Sequence, residues 1–266
     1  MIFPLFMYNL KKNRFLWLAL LGVMLFYHVT ILMMYDPENI EAVNAMLDLF
    51  PKEMMQAIGF VSFGSTLLEF IVGYIYGFLI YLFPMILAVV INHRLVAMMV
   101  DRGSMAYVLS TPHTRRRVIV TQAVFSVVSM VLFFIVMSGA VILASELMFP
   151  NQLDQMMYIQ INLYNIVQYL AIGALIFFGS SIANESNQSL AIGVGFPVVF
   201  LIVQMVANLG GDMEIFKYFT LFTLFSPESM LTKDAFVVPA MISLAAIAVL
   251  LYGLSVLAFE KKNLYI

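Results

Sequence analysis

Six apolar runs, each long enough for a helix to cross a bilayer, divide this chain at residues 15–34, 70–91, 118–149, 161–183, 190–208 and 236–259. A hydrocarbon core of about 30 Å takes roughly 20 residues of helix. A soluble fold has no use for so many such runs, and about a quarter of an ordinary soluble domain is charged. This chain is 11% charged and 63% hydrophobic. The pattern predicts an all-α integral membrane protein built as one six-helix transmembrane domain over residues 1–266. The absence of cysteine excludes disulfides, thiolate metal sites and a cysteine nucleophile.

The opening stretch MIFPLFMYNLKKNRF places charges after an apolar start, and no small-residue cleavage site follows the next run. It reads as a short interfacial segment leading into a retained span. Lysine and arginine in short loops set orientation. Lys11, Lys12 and Arg14 precede span one, five arginines lie between spans two and three, and Lys261 and Lys262 follow span six. An even number of spans puts all three segments on one side, which the rule assigns to the cytoplasm. The other side holds Lys52, Lys217 and Lys233 against many acids, so span count and charge bias agree. Both termini are therefore expected in the cytoplasm.

Between spans one and two, Ile40, Val43, Met46, Leu47 and Phe50 recur at helical spacing. They predict an amphipathic extracytoplasmic helix, which Pro51 ends before Lys52-Glu53 opens another turn or two. A cap over the span ends is the plainer role for it, and a gate the sharper one. Pro84 in span two and Pro197 in span five each free a helical carbonyl, which is tolerable in a membrane only where a neighbour satisfies it. Gly73 and Gly77 form a GxxxG that would allow close helix approach. The halves of the chain share no polar pattern, which weighs against a carrier built from repeats with paired broken helices.

The segment from His93 to Gln122 is the polar exception. It carries Arg94, Arg102, Arg115, Arg116 and Arg117, five of the chain's 13 basic residues. Span two ends near Arg94 and span three cannot begin before Pro112, which leaves about twenty residues, too many for a tight turn. Met98, Met99, Met105, Val108 and Leu109 can share the apolar face of a short helix. Thr111, before a proline, ends it, and Thr114 offers an N-cap for span three. Arg115, Arg116 and Arg117 then occupy a first turn where the helix dipole disfavours cations. Anionic lipid headgroups and the positive-inside bias account for them, and Arg94 joins them as membrane-surface charge.

The run DRGSMAYVLSTPHTRRRVIVTQ resembles the segment after the second span of ABC-2-type permease subunits of bacterial ABC transporters. The positions carrying the likeness are Asp101, Gly103, Leu109, Ser110, Thr111, Pro112, Thr114, Arg115 and Arg116. The outer stretch LDLFPKEMMQAIG is similar too, and with six spans the resemblance covers essentially the whole chain. It implies a multi-pass protein of the bacterial cell membrane that pairs with a second permease subunit, identical or not, and with cytosolic ATP-binding subunits. It also implies that a coupling helix, here residues 100–110, docks on the ATPase through Asp101, Arg102, Gly103, Met105, Tyr107, Leu109 and Pro112. No GxxxxGK[ST] occurs in this chain, so ATP and magnesium are expected on the partner, and the chain is not expected to be an enzyme or to bind a cofactor itself.

Other polar residues carry weaker signals. Glu69 is the acid nearest the body of a span, and its expected place is the outer interface rather than a translocation path. His28, Gln204 and Asn208 could face such a path, although interhelical hydrogen bonding explains residues of this kind more often. His28, His93 and His113 are widely separated with no HExxH spacing, so no metal site is expected. Ser180, Ser181 and Ser186 lie in no G-x-S-x-G setting. The 21 methionines are scattered and read as adaptable packing. The link ANESNQS between spans four and five reads as a polar turn, or as a second contact for an ATPase.

The resemblance implies an ATP-driven permease, an exporter of an amphipathic or hydrophobic substrate such as a peptide, antibiotic or lipid, with no nucleic-acid partner. A stand-alone ion-coupled carrier would lean on Glu69. A non-transporting scaffold or sensor would leave the short helix without an energetic consequence.

Overall fold

The computed structural model describes residues 1–38, 49–59 and 66–262. It is helical, and among the described residues six helices are long and apolar enough to cross a membrane. In chain order the helices are α1 (Phe3–Met34), α2 (Lys52–Ala57), α3 (Leu67–Ile75), α4 (Phe78–Leu95), α5 (Ala97–Asp101), α6 (Ser104–Leu109), α7 (Arg115–Met148), α8 (Gln155–Ile182), α9 (Ser186–Ala207), α10 (Pro227–Leu231) and α11 (Val237–Lys261). Tight 3-10 turns at Gly211–Phe219 and Phe222–Leu224 bridge α9 and α10. The expected amphipathic helix around residues 40–50 falls mostly outside the described residues. The second turn foreseen after Pro51 is present as α2.

The α8 helix is the most enclosed of the spans and packs against α4, α7, α9 and α11. Its axis carries buried Tyr158, Asn162, Asn165, Gln168 and Tyr169. By contrast α1, α9 and α11 leave wide apolar faces outward, including Phe15, Phe26, Phe196, Ile202, Ile242 and Val249. Such faces fit hydrocarbon, where an outward apolar side chain carries no penalty.

Two spans differ from the sequence reading. The interfacial segment expected before span one is instead the first turns of a single helix, α1. Pro4 lies in its opening turn, where proline's missing N–H is no loss, and Asn9 and Asn13 are buried there. The second span is not one helix from residue 70 to 91. It breaks at Tyr76–Gly77 into α3 and α4. The cause is the backbone of the loop before α3: a Cβ on Gly77 would lie 2.7 Å from the Ile58 carbonyl oxygen and 3.0 Å from that of Gly59. Gly59 itself has φ +74°, a left-handed conformation natural to glycine. The Gly73/Gly77 spacing thus serves a loop packed into a helix break, and not a crossing of two helices at Gly77.

Pro84 and Pro197 both lie inside helices and both are buried. Pro84 has no N–H for the carbonyl of Ile80, and the Tyr169 hydroxyl reaches from α8 to donate to Ile80 O and Tyr81 O, each at 2.7 Å. This is the neighbouring donor that the sequence required.

Candidate functional site at the arginine-rich end

Beyond Leu95 the α4 helix kinks at Val96 (φ −126°, ψ −72°) and continues as α5. Arg102 ends α5, and Gly103 turns the chain at φ +69° before α6 begins. A Cβ at Gly103 would meet nothing within 4 Å. The left-handed backbone, and not crowding, therefore calls for glycine here. The expected single helix over residues 100–110 is thus two short helices joined by a glycine corner. Ser104 Oγ donates to Met99 O at 3.1 Å across that corner, and Ser110 Oγ donates to Tyr107 O at 2.9 Å.

The inner side of this corner is anchored. Met99 and Met105 are buried, while Met98, Val108 and Leu109 are half-buried. Below Met99 lies a polar chain inside the bundle. Gln122 Nε2 of α7 contacts Met99 Sδ at 3.4 Å, Asn9 Nδ2 donates to Gln122 Oε1 at 2.5 Å, and Asn13 Nδ2 donates to Asn9 O at 3.0 Å. Arg94 closes the chain, donating to Asn13 Oδ1 at 3.3 Å. Ile2 N donates to Thr121 Oγ1 at 2.8 Å beside it. These contacts link α5 to α1, α4 and α7.

A second tie runs to α9. Ser186 Oγ, at the start of that helix, donates to Asp101 Oδ2 at 2.7 Å. His93 Nδ1 and Ser180 Oγ lie 3.2 Å and 3.0 Å from Ser189 Oγ. The ANESNQS link is accordingly a turn of a few residues followed at once by helix.

The outer side of the corner is open. Tyr107 is 81% exposed, and Arg102, Ser110, Thr111 and Pro112 are exposed beside it. Thr114 caps α7 by accepting from Arg117 N at 3.3 Å. Arg115 donates to Lys262 O at 2.9 Å, Arg116 lies 3.8 Å from Glu260, and Arg117 is exposed. Lys262 donates to the Ser181 and Ala183 carbonyls at the end of α8. A cation there complements the negative end of the helix, while partial burial lowers its pKa below the ordinary lysine value. The start of α1, the end of α11, the α4–α7 connection and the α8–α9 link thus gather at one end of the bundle.

The four path candidates lie elsewhere. His28 is buried in α1 with Nδ1 2.7 Å from Met24 O of its own helix. Glu69 forms a reciprocal capping box with Thr66, each bond 3.2 Å, at the start of α3. Gln204 donates to Asn208 at 2.8 Å and accepts from Thr223 at 2.7 Å, and Asn208 donates to Ala57 O at 3.3 Å. Thr223 also lines a wide cleft of about 920 Å³ with Phe200, Lys217, Tyr218, Ser226 and Phe236. Among the described residues, no hydrogen bond joins His28 or Glu69 to the Gln204–Asn208 pair.

Sequence reasoning did not single out Asn9, Asn13, Gln122 or the Ser186–Asp101 bond. A faint signal existed: Asn9 and Asn13 stand four apart, on one face of α1.

The description "ABC-2 family transporter protein" belongs to a family model that matches residues 7–264. The chain belongs to the ABC-2 family. No curated protein and no solved structure matches it. As an ABC-2 protein with six membrane-capable helices, it is a multi-pass membrane component of an ABC transporter, and its part is transport rather than catalysis. The family places the exposed α5–α6 corner in a transporter and sets aside the stand-alone carrier and the scaffold.

Proposed function

We propose that this chain is the permease subunit of an ATP-driven exporter of an amphipathic or hydrophobic substrate, and that the α5–α6 corner docks on a separate ATP-binding subunit. The observation that carries the reading is the two-sided build of that corner. Arg102, Tyr107 and Pro112 face outward, while Met99, Met105 and Asp101 bind it to the bundle. A surface of this kind can take a push from outside and pass it to several spans at once. Gly103 supplies the turn that presents it, Leu109 seats its far end, and Met105 is its anchor rather than a contact.

In this reading the arginine-rich end is cytoplasmic, and Arg115, Arg116 and Arg117 sit near the headgroups of a bacterial plasma membrane, while Arg94, expected with them, turns inward to Asn13. ATP and magnesium belong to the partner. A second permease subunit, identical or paralogous, covers part of the outward apolar surface, and the substrate passes between the two. His28, Glu69, Gln204 and Asn208 serve mainly to hold helices and caps in place.

The test is affinity capture of the tagged chain from its own membrane in mild detergent, followed by mass spectrometry. A stoichiometric ABC ATPase, lost when Arg102 and Tyr107 are both replaced by alanine, is the expected result. Recovery of the chain alone, under conditions that keep other ABC complexes intact, would overturn the proposal.

A further inference from the structure

The α9 helix starts beside Asp101 at the arginine-rich end, so its last residue, Ala207, lies at the opposite end of the bundle. The 3-10 segment that follows, Gly211–Phe219, packs chiefly on α9 and buries none of its residues. Ile215, Tyr218 and Phe219 are each at least 60% exposed. Water disfavours such a row of bare apolar groups, whereas the surface of a bilayer accepts it.

After Phe219 the chain dips into the bundle. Thr220 Oγ1 donates to Phe200 O at 3.0 Å. Phe200 stands seven residues before the end of α9, about 10 Å inward along the helix. Phe222 and Phe225 are then buried against Tyr81 and Tyr164, with ring centroids 4.6 Å and 4.9 Å apart. The 3-10 turn at Phe222–Leu224 packs against α9 and α11, two helices that each pack on α8. Leu221 and Leu224 of this anchored stretch line the cleft of about 920 Å³, together with Phe200 of α9 and Phe236 at the start of α11. A volume of that order is enough to hold a ligand.

The lining passes from charged to apolar. Lys217 Nζ lies 2.6 Å from Glu214 Oε1 and 5.4 Å from the centre of the Tyr218 ring, and all three residues border the cleft. They belong to the segment beside the end of α9, while Leu221, Leu224 and Phe200 lie where the chain has dipped. On either side run the outward apolar faces of α9, with Val199 and Ile202, and of α11, with Val238 and Ile242. A molecule with a charged head and a hydrocarbon tail fits this gradient. The Lys217–Glu214 pair also selects the head. A purely anionic head would reach Lys217 only against the repulsion of Glu214. A head carrying both a phosphate and an ammonium meets Lys217 with the first, and the Glu214 carboxylate and Tyr218 ring with the second.

We infer that this cleft binds one zwitterionic phospholipid of the surrounding leaflet. Its phosphate lies on Lys217, its ammonium at Glu214 and Tyr218, and one acyl chain runs between Phe200 and Phe236 over Leu221 and Leu224. The lipid fills the gap between α9 and α11 within a single subunit. The site does not depend on where the ATP-binding subunit docks or on which substrate is exported.

The test uses the full chain in phosphatidylglycerol vesicles that carry a trace of photoactivatable phospholipid. The probe has a diazirine midway along one acyl chain and either a phosphoethanolamine or a phosphoglycerol head, and cross-links are mapped by mass spectrometry. The phosphoethanolamine probe is expected to label Leu221 and Leu224 roughly threefold more than the phosphoglycerol probe, the effect of one or two exposed charge contacts. Val249, 75% exposed on α11, should be labelled equally by both. Glu214→Lys, at a side chain 61% exposed, should reverse the preference at Leu221 and Leu224 and leave Val249 unchanged. Equal labelling of the two leucines by both probes in the unaltered protein overturns the proposal. So does their escape from labelling while Val249 reacts, which would mean that a second permease subunit covers the cleft.

Discussion

The Tyr169 hydroxyl lies 2.7 Å from the carbonyl oxygen of Ile80, the residue four places before Pro84. A proline in a helix leaves the carbonyl one turn earlier without its N–H, and here the neighbouring helix makes up the loss. Tyr169→Phe should therefore lower stability by about 1–3 kcal/mol, the usual penalty for a buried polar group left unpaired. In a Pro84→Ala background, where the helix can supply the N–H itself, the same change should cost markedly less. A double-mutant cycle on thermal unfolding in detergent checks this, and equal penalties in both backgrounds would show that the two residues are not coupled.

At the helix break, Gly77→Val should be poorly tolerated, because even its Cβ would sit 2.7 Å from the Ile58 carbonyl oxygen. Overpacking of this kind costs roughly 1–3 kcal/mol. The strain should appear first as faster proteolysis of the loop near Gly59. An unchanged cleavage rate would mean that the loop does not hold its seat against Gly77.

The α5–α6 corner makes opposite demands on its two sides. Arg102→Glu and Tyr107→Ala should leave membrane insertion and thermal stability within about 0.5 kcal/mol of the parent, while abolishing stimulation of the partner ATPase by the permease. Met105→Ala should instead destabilise the protein by about 2–5 kcal/mol, as truncation of a buried methionine does. Gly103→Ala should cost about 1–2 kcal/mol through its left-handed backbone alone. ATPase assays and melting curves on the same reconstituted samples separate these effects. Stimulation that survives both surface changes would remove the corner from the coupling route.

Not every charge at this end matters for stability. Arg116 and Glu260 lie 3.8 Å apart with the arginine side chain 72% exposed, and exposed pairs contribute about 0–1 kcal/mol. Arg116→Ala should shift unfolding by no more than that. Replacing Gln122 by leucine should cost more, about 1–3 kcal/mol, because it strands the buried Asn9 amide. Reversal of this order would mean that the surface charges, and not the interior polar chain, hold the end together.

The candidate site was legible in part. The arginine cluster, the Thr114 cap and the Thr111-Pro112 stop are local features, so the position of the corner could be read directly. The glycine corner within it, and the division of its residues into Met105 inside and Tyr107 outside, could not. A short helix of mixed composition presents several plausible apolar faces, and which of them is buried depends on what packs beneath it. The same holds for Glu69. Its sequence position near a span suggested a path or an interface, whereas its contacts make it half of a capping box.

The sequence by itself determined the six spans, the gathering of basic charge at one end and the family resemblance, because hydrophobic length, charge bias and short motifs act along the chain and need no partner. Only the tertiary structure decided where the second span breaks, that Tyr169 completes the Pro84 turn, and that Asn9, Gln122 and Arg94 form one interior chain. Each of these depends on a hydrogen bond or a backbone contact between residues far apart in sequence. In an apolar medium those pairings are compulsory, yet periodicity cannot name the partner.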